Sequence, residues 1–258
     1  MVENGGKAED RQKRAQNQVA LVALCELVGS SCSEDNEAGT ANSHNNSGTC
    51  AAASQIIVCT THLKATKNIV GERTRYLEVT QLLKSVQRLY SAKYDEAQST
   101  GRPEPLILIT GDLNAAPDEK STGFEALAYS AVKRSELGLR SVLNDDMQFP
   151  EEVWTTWKAR RKKGKESIAK SCIDYILYRP LSAPLLPGDA RGIAGGDSLG
   201  GGGGGGVATR YRAGLQAKAV LGLFSEAEIG EDLLPSSKYP SDHLAIAADL
   251  EIVWRREK

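Results

Sequence analysis

The sequence has no two cysteines spaced C-x-x-C, and its five cysteines (Cys25, Cys32, Cys50, Cys59 and Cys172) are odd in number. Both facts argue against a disulfide framework or a thiolate zinc site. They fit a reducing, intracellular compartment, either the cytoplasm or an organelle, and no disulfide-bonded partner. No window approaches the roughly 18 consecutive apolar residues of a membrane span, so no membrane partner is expected. The opening MVENGGKAEDRQKRAQ lacks the apolar stretch of a secretory signal. No G-x-x-x-x-G-K-[ST] occurs. The glycine run Gly200–Gly206 matches G-x-G-x-x-G only because it holds nothing but glycine, which sets aside a P-loop or Rossmann reading. An excess of either charge is also absent. Lys and Arg number 32 and Asp and Glu 33, a net charge of -1 over 258 residues, so there is no global pull toward nucleic acid or membrane.

Two tracts lack the apolar periodicity that would offset the entropy of ordering them: residues 29–54 and residues 182–206. They read as flexible loops within one domain spanning 17–258, preceded by a disordered tail at 1–16. KARRKKGK, Lys158–Lys165, is a local basic run. It is either a solvated loop or a rim that attracts phosphate.

Between these tracts the apolar pattern marks secondary structure. Val19–Val28 is a buried strand or a short helix, which periodicity alone does not decide. Gln55–Thr61 is β-branched and reads as a strand. Gly71–Lys93 repeats apolar residues at helical spacing (Tyr76, Val79, Leu82, Leu83, Val86, Leu89) and predicts an amphipathic helix. Leu106–Thr110 is a strand, and Glu119–Ala128 is a short helix after Pro117. Leu139–Leu143, Val153–Trp157, Cys172–Tyr178 and Leu215–Leu223 are strands, and so is His243–Val253. Ser225–Ile229 has a serine cap and early acids, the mark of a helical turn. Several strands per helix, without regular βαβ alternation, predict an α+β fold.

Groups that dislike burial sit at the ends of these strands. QIIVCTTHL ends on His62, and LILITGDLN ends on Asp112 and Asn114. CIDYILY carries Asp174, and YPSDHLAIAADL places Asp242 and His243 at a strand start. Singly, each has a structural explanation, such as an Asx-turn, a satisfied histidine or an ion pair. Together they matter more, because the chain has only three histidines and the third, His44, lies in a low-complexity tract. If the strands share one rim, two imidazoles and three carboxylates converge there. Carboxylate and carboxamide oxygens suit Mg²⁺ or Mn²⁺ better than zinc.

In this order, HL at 62, GDLN at 111, IDY at 173 and SDH at 241 resemble the endonuclease/exonuclease/phosphatase superfamily, the deoxyribonuclease I-like fold. Four further stretches are similar to its nocturnin branch: NQVAL at 17, THLKA at 61, TTWKAR at 155 and the EIG…LLPSSKYPSDH tract. The resemblance implies an α+β fold, a partial deoxyribonuclease I-like β-sandwich flanked by helices. It also implies roles. Asp112 orients and deprotonates the attacking water. Asn114 holds the metal–water cluster, Asp174 orients His243, and His62 donates to a phosphate oxygen. Asp242 reaches the metal with Asp112 and Asn114, and Lys64 and Arg160 contact substrate phosphate. Where the branch has its next basic residue, this chain has Thr66, and Lys67 stands one position on.

The implied activity is Mg²⁺-dependent removal of the 2′-phosphate of NADP(H). Alternatives are 3′-to-5′ trimming of a poly(A) RNA 3′ end, or a nucleotide-binding module without turnover. The last arises because the branch's early asparagine strand and its metal-anchoring L-Q-E glutamate are expected to lie outside this sequence, the N-terminal half of the fold being missing. Leu24-Cys25-Glu26 is only superficially similar to L-Q-E, since the preceding NQVAL fits a later strand. Trp154, Trp157, Tyr178 and Tyr239 are expected to pack rather than react.

Overall fold

The computed structural model describes residues 20–27, 54–117, 125–146, 153–162, 165–184, 186 and 211–256. The expected tail at 1–16 lies outside them. So do the expected loops, except Ser54 and a few residues after Leu181.

β1 (Ala20–Leu27) is a strand, which settles the ambiguity left by periodicity. It pairs antiparallel with β2 (Ser54–His62). α1 (Ile69–Thr100) then returns the chain, so that β3 (Leu106–Asp112) lies parallel to β2. β7 (Asp174–Tyr178) pairs antiparallel with β3, and the two-residue β4 (Arg140–Ser141) closes the other edge. The resulting sheet runs β1-β2-β3-β7-β4. Two hairpins stand apart from it: β5 (Thr156–Lys162) with β6 (Lys165–Ser171), and β8 (Tyr211–Val220) with β9 (Ala248–Arg256).

Strand side chains alternate between faces, and the two faces of the sheet bury different partners. Ile57, Cys59, Ile107, Ile109, Tyr175 and Leu177 pack on α1 through Val79, Leu82, Leu83, Val86, Tyr90 and Tyr94. The intervening Ile56, Leu106, Leu108, Ile176 and Tyr178 pack on the β8–β9 hairpin through Ala213, Leu215, Leu250 and Ile252. The order is helix, sheet, hairpin. This is the expected α+β sandwich, with a long helix on one face among the described residues.

α1 is longer than the periodicity suggests because both of its ends are capped. The Asn68 side chain accepts from the Gly71 amide, and Gly101 ends the helix at φ 67. One assignment within it changes. Tyr76 is 41% exposed, while Arg75 is fully buried.

Several predicted elements shift. Of the helix expected over Glu119–Ala128, residues 118–124 lie outside the described set and Glu125 and Ala126 are not helical; the helix here, α2, spans Leu127–Lys133. Leu139–Leu143 is mostly not strand. After β4 the chain enters a π-helical turn at Val142–Asp146, where Asp145 accepts from the Ser141 amide at 2.6 Å. The strand predicted at Val153–Trp157 begins only at Thr156 and runs through the basic residues to Lys162. The basic run is therefore mainly strand and not a loop, because β6, which periodicity did not reveal, pairs with it. The last strand starts at Ala248 rather than His243. The preceding stretch is docked elsewhere, with the Leu244 amide on the Thr155 carbonyl at 2.8 Å. The turn at 225–229 is α3 (Glu226–Ile229), with a complete Ser225–Glu228 capping box.

Gly111 is the tightest point of the sheet. A Cβ there would lie 1.9 Å from the Thr61 carbonyl oxygen, and its φ is 140. Gly111→Ala is therefore expected to cost several kcal/mol, the scale of overpacking combined with a strained backbone. A denaturant-midpoint shift checks this.

Candidate active site

Register brings the predicted acids together. His62 lies opposite Asp112 across the β2–β3 pair, and Asp112 opposite Asp174 across β3–β7. Three neighbouring strands thus place His62, Asp112 and Asp174 in one row at one end of the sheet. Paired residues share a pleat face, so all three sit on the side that carries the β8–β9 hairpin.

The fourth member comes from outside the sheet. His243 lies in the irregular segment after Pro240, and its Nδ1 is 2.9 Å from Asp174 Oδ2. A carboxylate only accepts, so Nδ1 carries the proton and Nε2 faces the rim. There Nε2 is 3.9 Å from both Asp112 Oδ2 and Asp242 Oδ2. Asp112, Asp174 and His243 each offer a ligand atom, all within 4.8 Å of one another.

Asn114 takes a left-handed conformation, φ 49, which asparagine tolerates better than most residues. That fold-back lets its amide nitrogen donate to Leu63 O at 3.0 Å and to Asp112 Oδ2 at 3.1 Å, while its backbone N–H donates to Asp112 Oδ1 at 2.7 Å. Both side-chain partners are acceptors, so the amide orientation is fixed, and its oxygen accepts no hydrogen bond from the described residues. His62 lies at the outer edge. Its side chain is 68% exposed, with Nε2 3.4 Å from Asp112 Oδ2.

Burial pushes the Asp112 carboxyl above its ordinary range. The nearby Asp174 adds to this, against the Asn114 N–H and the two histidines. Two carboxylates held close in a partly buried rim are the natural complement of a divalent cation. The donor set Asp112, Asp174 and His243, with the Asn114 carboxamide beside it, fits a hard cation. Asp242 is placed differently from the other two acids. Lys158 Nζ sits 2.5 Å from its Oδ2, and this contact pulls its carboxyl below the ordinary range.

Of the predicted phosphate contacts, Lys64 lies on the loop directly after β2. Lys67 on the same loop reaches the rim, donating to the Asn114 carbonyl at 2.7 Å. Arg160 lies in β5, opposite Ser167, and its side chain falls outside the described residues. Glu26 is at the far end of the sheet. It pairs with Gln55 in register and lies 3.6 Å from Arg102, so it supplies no ligand to the rim.

Three residues of the site were not singled out for a role. Thr155 Oγ donates to Asp174 Oδ2 at 2.6 Å and accepts from the Ile173 and Asp174 amides at 3.1 and 3.2 Å. Thr156 Oγ donates to the Asp242 carbonyl at 2.7 Å, and Lys158 holds the Asp242 carboxylate. Their signal in the sequence was the TTWKAR stretch, with Lys158 also opening the basic run Lys158–Lys165. Trp154 and Trp157 are buried with Leu233, Leu234 and Leu244 beneath this segment. Tyr178 is buried, and Tyr239 packs on Phe224 at 4.7 Å.

No family model matches the chain. Nocturnin of Xenopus laevis is 29% identical over 205 residues, 78% of this chain and 38% of that protein. Nocturnin of Rattus norvegicus is 29% identical over 198 residues, 76% of this chain and 33% of that protein. The chain thus spans about a third of the length of these relatives. The human nocturnin catalytic domain, solved with a bound sulfate anion, aligns with a TM-score of 0.46 at 21% identity, over 92% of this chain and 54% of that chain.

The chain is thus similar to nocturnin at 29% identity over more than three quarters of its residues.

Proposed function

We propose that the rim hydrolyses a phosphoester of a nucleotide, with Mg²⁺ or Mn²⁺ as the cation and the 2′-phosphate of NADP(H) as the substrate group. The convergence of Asp112, Asp174 and His243 from three separate segments carries this reading. Asp112 Oδ2 accepts the proton of the attacking water, and the Asn114 N–H contacts keep that carboxylate aimed. Asp174, itself held by Thr155, fixes the ring of His243 so that Nε2 points at the reacting phosphoryl group. His62 and Lys67 offer positive charge or donors at the rim, where negative charge builds on phosphorus, and Lys64 and Arg160 are the further proposed phosphate contacts. Asp112, Asn114 and Asp242 are the proposed holders of the cation. When bound, the cation supplies Lewis-acid stabilisation of the phosphoryl oxygens.

A second reading is 3′-to-5′ trimming of poly(A). It is favoured by the basic β5–β6 hairpin, whose Lys158 is tied to the rim. A nucleotide-binding module without turnover is the third, favoured by the Lys158 clamp on Asp242. Phosphate release from NADPH, measured beside shortening of labelled poly(A) and with Asp112→Ala as control, separates the three. Turnover is expected on NADPH, dependent on Mg²⁺. Saturating Mg²⁺ at about 100 times its Kd is expected to stabilise the fold by about 2.7 kcal/mol, read as a melting shift that chelator reverses. No shift and no turnover would remove the enzymatic readings.

A further inference from the structure

Two charged residues in the first two turns of α1 take no part in the chemistry above, yet both are completely buried. Glu72 and Arg75 are each 0% exposed. Arg75 Nε and one terminal nitrogen donate to Glu72 Oε2 at 2.9 and 2.6 Å. The other terminal nitrogen spans two carbonyls of the loop after β2, Lys64 O and Thr66 O, both at 2.8 Å. Glu72 Oε1 accepts from the Ala128 amide at 2.7 Å, which ties α2 to the same point.

Other backbone groups at the start of this loop are also held. Leu63 N–H donates to Asp112 O at 2.8 Å, and Leu63 O accepts from the Asn114 amide. Lys64 N–H donates to Glu78 Oε2 at 3.1 Å. The Thr66 carbonyl oxygen lies where a Cβ on Gly71 would come within 2.0 Å, so the loop is pressed against the first turn of α1.

We infer that Arg75, oriented by Glu72, is a positioning residue that fixes the backbone of the loop after β2, the loop that carries Lys64 and brings Lys67 to the rim. A buried ion pair is a weak source of net stability. The guanidinium's distinctive capacity is its planar fork, which serves a carboxylate and two divergent carbonyls at once; a single ammonium lacks that geometry. A basic loop with a fixed backbone meets a phosphate without ordering itself at each encounter, which is where preorganisation gains affinity. What the lysines grip rests on the phosphoester reading. The placement of the loop does not.

Arg75→Lys tests this, because it keeps a cation beside Glu72 and removes the fork. Trypsin is applied to the whole chain below the unfolding midpoint, and fragments ending at Lys64 or Lys67 are followed by mass. The variant is expected to release them about tenfold faster than the parent, the equivalent of about 1.4 kcal/mol of local opening. In an active parent, KM for the phosphate substrate is expected to rise about tenfold with kcat within about twofold, a split that a general loss of stability would not give. Should Arg75→Lys fail to fold, Glu78→Leu removes the acceptor of the Lys64 amide from a half-buried site, and faster cutting after Lys64 is expected. Unchanged cutting, or an opened loop with unmoved KM, overturns the inference. A parent with no turnover removes the catalytic reading alone, and faster cutting in the variant still upholds the placement of the loop.

Discussion

Asp112→Asn is expected to lower turnover by about two to four orders of magnitude, the usual contribution of a positioned general base, while leaving the cation-free protein at least as stable as the parent. The stability half follows from the sign of the titration. Burial raises the Asp112 carboxyl above its ordinary value, so the folded state favours the neutral form. The favourable contribution is fully present below the ordinary carboxylate range and is lost as pH rises through the raised value. At neutral pH without a cation, the ionised side chain opposes folding. Asparagine is neutral and keeps an acceptor for the Asn114 backbone N–H. The variant's stability advantage is therefore expected at neutral pH and should shrink as pH falls toward the carboxylate range. Melting in chelator across pH 4 to 8 checks this. A variant much less stable than the parent at neutral pH would show that Asp112 is a structural carboxylate. The Mg²⁺-induced melting shift is expected to be largely lost in the same variant, since one of the two clustered carboxylates is gone.

Arg75→Met is the largest expected loss of stability, about 3–5 kcal/mol, because it leaves the Glu72 carboxylate buried without its cation. The comparison that identifies the cause is the double variant Glu72→Gln/Arg75→Met. Glutamine retains an acceptor for the Ala128 amide, which now bonds Glu72 Oε1, and carries no charge. The double variant is expected to recover a substantial part of the loss in a urea titration. Equal losses in single and double variants would place the cost in the missing bonds to Lys64 O and Thr66 O instead of the orphaned charge.

The parts of the fold that were legible in the sequence are those governed by local burial. β2, β3 and β7 are short apolar runs, and their alternation reports two different packing partners. α1 could be read because its apolar residues recur at helical spacing. Tyr76 was misassigned to its buried face because periodicity records a hydrophobic side chain without recording what lies opposite. Arg75 escaped for the converse reason: a buried arginine looks like a surface one until its acceptors are in place. β6 and the strand character of Lys158–Lys162 could not be read because a hairpin rich in charge has no apolar alternation. The Ala248 start of β9 was hidden by the apolar residues at 244–247, which lie outside the ladder, with Leu244 docked on the Thr155 carbonyl.

The candidate site divides the same way. Asp112, Asn114, Asp174, His62 and His243 could be named in advance, because polar groups at the ends of apolar strands are costly and few. Thr155, Thr156 and Lys158 could not, since a hydroxyl or an ammonium reveals no role until its partner is fixed.

What the sequence alone determined is therefore a set of strand ends carrying acids and imidazoles, in an order resembling a known superfamily. Only the tertiary structure decided that His62, Asp112 and Asp174 fall in one register, that His243 reaches them from an irregular segment, and that Asp242 is held by Lys158. The physical reason is one of range. Periodicity records how each residue is buried relative to its chain neighbours, whereas a site depends on strand register and on hydrogen bonds between residues as far apart as Thr156 and Asp242.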